Sequence, residues 1–323
     1  MLFITDNTTT KENGMLKQVL EMYELLDDAG VSGKKVEEFL RGRGLTDIRV
    51  ETIKGEKGST DFIQITVPGS SGKKSGGKAP TLGLIGRLGG IGARPERIGI
   101  VSDADGAVAV LACALKLADM AKRGDTLPGD IIISTHICPD APTQPHEPVP
   151  FMGSPVDMQT MNSHEVVPEM DAIISVDTTK GNRVINHRGF AISPTVKSGY
   201  IMRTSEDLLD IMEWSTGLVP AVFPLATGDI TPYGNGVYHL NSILQPSTAT
   251  DAPVVGVAIT TVRPVPGCGT GASRETDIEE ASRFCLEVAK AYGAGSCGFY
   301  DADEFALLEK RYGSMKQLQT FGL

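Results

Sequence analysis

The longest apolar stretch in the chain, Gly106 to Arg123, is broken only by Lys116 and Asp119 before its basic last turn. That pattern is too continuous for a surface helix and predicts one buried on most of its circumference, with Gly124 as the stop. The run Ile98 to Val101 just before it predicts a short buried strand, and Ser102-Asp103-Ala104-Asp105 a polar turn. Two aspartates thus fall between a core strand and the N-terminus of a core helix. α/β proteins hold ligands there, although a carboxylate at that place also serves as a plain helix cap.

Around this centre, strand-like and helix-like patterns alternate. Helices are expected over Lys11 to Ala29 and Lys35 to Arg43, then strands over Thr46 to Ile53, Asp61 to Val67 and Ala79 to Ile85. Between the last two, the run from Gly69 to Lys78 has the composition of an exposed flexible loop. Further strands are expected at Asp130 to Ser134, Met170 to Val176, Gly189 to Ser193, Val219 to Ala226 and Val254 to Val262, with Val237 to Leu244 carrying the chain back across the sheet. Helices are expected from Ser205 to Ser215 and from Thr276 to Tyr292, with a further short one after Asp301. Continuous apolar strands such as DIIIS, DAIIS and VVGVAI predict a three-layer α/β fold, a mixed, mainly parallel sheet with helices on both faces. We expect one domain over 1–323, with an N-terminal helical segment over 1–45. The polar, proline-rich stretch 141–165 is expected to be a loop or lid.

Composition narrows the function classes. A net charge of −10 argues against nucleic acid or an anionic membrane as the main partner. Five widely spaced cysteines without a CxxC fit a reduced compartment and no disulfide framework, and no apolar run reaches membrane length. A cytoplasmic protein is expected. The glycine-rich run Gly86 to Pro95 invites a dinucleotide reading, but its spacing is GxxGGxG, and Pro95 leaves no room for the phosphate-holding helix.

The chemistry gathers where strands end. Arg87, the Asp103/Asp105 pair, His136 with Asp140, and Asp177 follow successive strands, two later loops add Asp229 and Cys268, and the Val237 to Leu244 segment carries His239. In a parallel sheet these ends share one edge, so residues distant in sequence meet in one cleft. Carboxylates with an imidazole suit Zn²⁺ or Mn²⁺, which polarises a carbonyl and activates water. Each residue also has a plain reading. Asp177 before two threonines can close an Asx turn, His136 can be a packed core histidine, Asp229 can be a turn former, and Cys268 can simply fill a glycine turn. As a thiol near a helix start, Cys268 is alternatively a nucleophile for a metal-free enzyme.

The order of elements, from LIGRLGGIG through IVSDADGAVAVLACALKLADM, MDAIISVDTTKGN and TGDITPYGNG to VAITTVRPVPG, resembles the superfamily of co-catalytic zinc aminopeptidases and deacylases. The likeness is greatest to the deblocking, tetrahedral-assembly type. It equally resembles an uncharacterised bacterial and archaeal family, a domain of unknown function. The resemblance implies a metal-bridging role for Asp103, a ligand role for Asp177 and a site role for Asp229. It breaks where Arg87-Leu88-Gly89 replaces His-x-Asp, where Thr135-His136 replaces a Glu-Glu pair, and where Gly267-Cys268-Gly269 replaces a late histidine.

The expectation is therefore a metal-dependent hydrolase of an amide bond in a peptide-like or acyl-amino-acid substrate. Asp103, Asp177 and His136 would hold one Zn or Mn ion, or the site would hold none. His136 and Asp140 would handle the proton, and Arg87, Asp105, Asp229, His239 and Cys268 would line the substrate site. The alternative is a non-catalytic, small-anion-binding or assembly protein on a degenerate fold. The resemblance also implies a homo-oligomer.

Overall fold

The computed structural model describes residues 14–28, 30–56, 58–87, 100, 102–138, 143–144, 151–225, 240–263 and 273–319. Among these, the main sheet has nine strands. They are β1 (Asp47–Gly55), β2 (Gly58–Val67), β3 (Leu82–Gly86), β4 (Ile131–Ile137), β7 (Ala172–Thr178), β8 (Gly189–Ile192), β9 (Val196–Lys197), β10 (Tyr200–Ile201) and β11 (Val254–Thr260). β5 (Thr143–Gln144) and β6 (Phe151–Met152) pair apart from it. The strand order is β1-β2-β4-β3-β7-β11-β9-β10, with β8 on β11. The inner pairs β4–β3, β3–β7 and β7–β11 are parallel, and the outer pairs are antiparallel. The expected mixed sheet with a parallel centre is what forms, because these inner strands are apolar on both sides.

Strand alternation sorts the core into two layers. Leu82, Leu84, Ile131, Ile133, Ile174, Val176, Val255 and Val257 pack in one cluster with α1 (Leu16–Leu26), α2 (Gly33–Gly42), α3 (Asp105–Lys122), α5 (Glu206–Thr216) and α6 (Glu275–Gly293). The intervening positions Ile85, Ile132, Ile173 and Val254 face a smaller layer that includes Val166 and Leu244. This second face is roofed by the short helix α4 (Met158–Glu165) and a 3-10 segment, Ser242–Thr248. Helix α7 (Ala302–Tyr312) follows Asp301, whose side chain caps it as expected of the tail.

Four expectations change. The strand expected at Val219 to Ala226 reduces to one bridge, Ile192↔Val222, because Pro220 and Pro224 supply no N–H to a ladder. Of Val237 to Leu244, residues 237–239 lie outside the described residues, and Ser242 onward is 3-10. The Gly69–Lys78 run is ordered, since Asp130 accepts from the N–H groups of Gly69 (2.8 Å) and Lys74 (2.9 Å). Within the expected lid, Asp157 caps α4 by accepting from Thr160 N–H at 2.7 Å. The strand expected at Ile98 to Val101 lies outside the described residues except for Ile100, which is in no strand.

Candidate active site

The parallel register places the chemistry in one row. Gly86 pairs with Val176, and Ile85 pairs with both Ser134 and Ser175, so the next even step brings Arg87 between His136 and Asp177 on one face. Arg87 N–H donates to Val176 O at 2.7 Å, extending the β3–β7 ladder by one residue. α3 begins against the backbone of this edge from the other face of the sheet. A Cβ on Gly106 would stand 2.4 Å from Val176 O and 2.9 Å from Arg87 O, so only glycine permits that approach.

Arg87 and Glu165 are fully buried, and Arg87 Nε lies 3.1 Å from Glu165 Oε2. The other Glu165 oxygen lies 2.8 Å from His136 Nδ1. A second Arg87 nitrogen donates to Asn162 Oδ1, and a third faces Met158 Sδ at 3.8 Å. Asn162 in turn donates to Thr248 Oγ1 at 3.3 Å. Phe62, which pairs with His136 across β2 and β4, packs its ring 5.3 Å from the imidazole. The result is a buried cation–carboxylate–imidazole chain at the carboxyl edge of the parallel sheet.

This arrangement corrects the part expected of Arg87. Its guanidinium is turned inward to Glu165 and Asn162 and presents no open fork to a substrate carboxylate. Glu165 and Asn162 were missed by sequence reasoning. The signal was present, because Met158, Met161, Asn162 and Glu165 stand at i, i+3, i+4 and i+7 and are all buried.

Asp177 accepts from Thr178 N–H at 2.7 Å and from Ser242 Oγ at 3.4 Å. Asp103 is buried on the 3-10 turn Ser102–Ala104 that leads into α3. Among the described residues, no group of three or more His, Cys, Asp or Glu side chains converges as a metal site would require. Among the described residues, the side chains of Asp103, Asp177 and His136 thus do not gather as the ligand trio expected of them. The Nδ1 of His136 is committed to Glu165, Glu165 faces a guanidinium, and both Asp177 oxygens accept hydrogen bonds.

Asp105 belongs to a second buried pair. Lys180 Nζ lies 3.0 Å from Oδ2, and Ser273 Oγ donates to Oδ1, so Asp105 ties α3 to the segments before α6 and after β7. Burial raises its carboxyl above the usual value of 3.8, against the opposing pull of Lys180. A carboxyl whose folded pKa is raised holds its proton longer in the folded than in the unfolded state. Its contribution therefore falls as pH rises from about 3.8 through the folded pKa. Asp105→Asn is expected to flatten stability against pH in that window, measured as thermal midpoints from pH 3.5 upward. An unchanged slope would remove Asp105 as the cause.

Asp140, Asp229, His239 and Cys268 lie outside the described residues. Among the described cysteines, burial pushes Cys285 and Cys297 up to about 12 and Cys113 well above the usual thiol range. These three are expected to stay unlabelled by iodoacetamide at pH 8 in the native protein, read by peptide mass mapping. Fast labelling at any of them would contradict their burial.

The fold and this edge define an α/β protein with a parallel sheet centre and a buried charged row where its strands end. The chain belongs to the family described as Protein of unknown function (DUF1177), whose sequence profile matches residues 51–322. That is the kind of family the sequence pattern resembles. No curated protein matches the sequence. Three solved structures are similar. Glutaminyl cyclase from an Acidobacteriales bacterium aligns over 87% of this chain and 94% of its own, at 13% identity and a TM-score of 0.49. Glutaminyl cyclase from Porphyromonas gingivalis aligns over 85% and 96%, at 12% identity and 0.48. LapA aminopeptidase from Legionella pneumophila aligns over 90% and 71%, at 12% identity and 0.46. Scores below 0.5 at such identities say nothing about activity.

Proposed function

We propose that the protein hydrolyses an amide bond in a peptide-like or acyl-amino-acid substrate, with His136 as the proton-handling group. The observation that carries this reading is the 2.8 Å contact between Glu165 and His136 Nδ1. A carboxylate on Nδ1 fixes the imidazole's tautomer and orientation and leaves Nε2 as the nitrogen for taking and returning a proton. It also stabilises the imidazolium formed when the ring takes a proton from water. Arg87 offsets the cost of burying Glu165 among apolar neighbours.

A second reading, a non-catalytic binding or assembly protein, is favoured by the complete burial of Arg87 and Glu165. One experiment separates the two. The wild type is expected to turn over members of a panel of aminoacyl amides and N-acyl amino acids. His136→Gln is expected to lose about 10²–10⁴-fold in kcat while keeping its fold by circular dichroism. Absence of turnover across the panel, or an undiminished rate in the variant, would overturn the hydrolase and leave the second reading. That reading requires a rise in thermal midpoint on ligand addition without turnover.

A further inference from the structure

Beneath the charged row, the same face of the sheet carries an unusual concentration of buried polar atoms. Ser134 and Ser175 flank Ile85, one step down β4 and β7 from His136 and Asp177. Across from them runs the 3-10 segment Ser242–Thr248, in which residues three apart share a line. On that line Ser242 donates to Asp177, and Thr248 accepts from Asn162, so Gln245 lies between them, over the row. The roof is close. A Cβ on Gly256, which pairs with Ser175, would stand 2.7 Å from Ile243 Cγ2 and 3.1 Å from Phe223 Cζ.

Ser134 Oγ, Ser175 Oγ, both amide atoms of Gln245, Asn241 Oδ1, Arg87 Nε and Glu165 Oε2 are all buried without a well-aligned hydrogen-bond partner. They come from β4, β7, α4 and the 3-10 segment, from the residue after β3 and from the residue ahead of the 3-10 segment, yet all belong to this face or to its roof. A buried hydroxyl or carboxamide left unpaired is costly, and Gln245 alone brings two donors and two acceptor lone pairs. Five such atoms beside the unaligned edge of one ion pair point to a shared partner, not to five separate defects.

We propose that this layer is an internal water site. Roughly two or three ordered waters, at about three hydrogen bonds each, bridge Ser134, Ser175 and Gln245 and reach the unaligned edge of the Arg87–Glu165 pair. The ion pair is thereby hydrated from inside the protein although no surface of it meets bulk solvent. The site rests on the register of β3, β4 and β7 and on the 3-10 roof, and stands whether or not the protein is a hydrolase.

The sign of a stability change tests it. If waters satisfy these groups, Ser175→Ala and the near-isosteric Gln245→Met each break a hydrogen-bonded cluster and lower the thermal midpoint by about 2–4 °C. If the groups are dry, each substitution removes an unpaired polar group, and the midpoint rises. A crystal structure of the wild type gives the second measurement. Ordered waters within 3.2 Å of Ser175 Oγ and the Gln245 amide support the proposal. Dry density there overturns it whatever the midpoints do, and so does a raised midpoint in both variants.

Discussion

Glu165→Ala is expected to cost about 3–5 kcal/mol of folding stability, the largest effect of any single side chain in the site. The reason is asymmetry. Arg87 remains fully buried and cannot give up its proton at any ordinary pH, so removal of Glu165 strands a cation among Met158, Asn162 and the strand ends. The intact pair itself contributes far less than this figure, because desolvation of both charges offsets most of their attraction. A paired comparison makes the distinction. Arg87→Met combined with Glu165→Leu is expected to recover most of the loss, and urea unfolding of the wild type, single and double variants measures it. A cost below about 1 kcal/mol for Glu165→Ala would place the pair in the range of solvated surface bridges and would contradict the burial described above. His136 is expected to lose its fixed ring orientation in the same variant, visible as a change in its imidazole NMR shifts.

Gly106→Ala is the second large effect, expected to cost about 3 kcal/mol through a single methyl group. Its Cβ would meet backbone on three sides, with Val176 O at 2.4 Å, Arg87 O at 2.9 Å and Arg87 N at 3.1 Å. None of these can swing aside as a side-chain tip would. Gly86 closes the same joint from the other strand, its Cβ position lying 2.5 Å from Gly106 O. To relieve the clash, α3 must lift from the sheet, and Asp103 and Asp105 lift with its first turn. Gly42→Ala is the control. It lies within α2 with nothing inside 4 Å of its Cβ, and a helical alanine there is expected to be neutral or to stabilise by about 0.5–1 kcal/mol. Equal costs for the two substitutions, in chemical unfolding, would show that the α3–sheet joint relaxes freely.

The parallel centre of the sheet was legible in the sequence because burial on both faces writes itself as unbroken apolar runs, as in β4 and β11. α3 was legible for the same reason. The strand expected at Val219 to Ala226 shows where the rule fails, since apolarity says a segment is inside and says nothing of whether its backbone can pair. Pro220 and Pro224 carried that information. The Gly69–Lys78 run failed in the opposite sense, because glycine and serine composition reports local freedom and cannot report a carboxylate arriving from Asp130. In the site, Arg87, His136 and Asp177 were found from strand ends, since parallel topology alone brings such residues to one edge. Glu165 was not, because it comes from a helix in another layer, and its helical stripe begins just after a proline-rich stretch. A partner supplied across layers leaves no trace in sequence spacing.

The separation between Arg87 and its partners has a consequence for how the chain is made. Asn162 follows Arg87 by 75 residues, so at translation rates of about 5–20 residues per second the arginine leaves the ribosome roughly 4–15 s ahead of the helix that accepts it. Throughout that interval β3 ends in a cation with no counter-ion in its layer, which keeps that end of the strand in water while the apolar stretch around it seeks cover. The nascent sheet can assemble on its α3 side but cannot be sealed on the other until α4 has been synthesised. Truncation in this part of the message would therefore release chains that carry α1, α2 and α3 but lack α4, α5 and α6, with an open, charged sheet face.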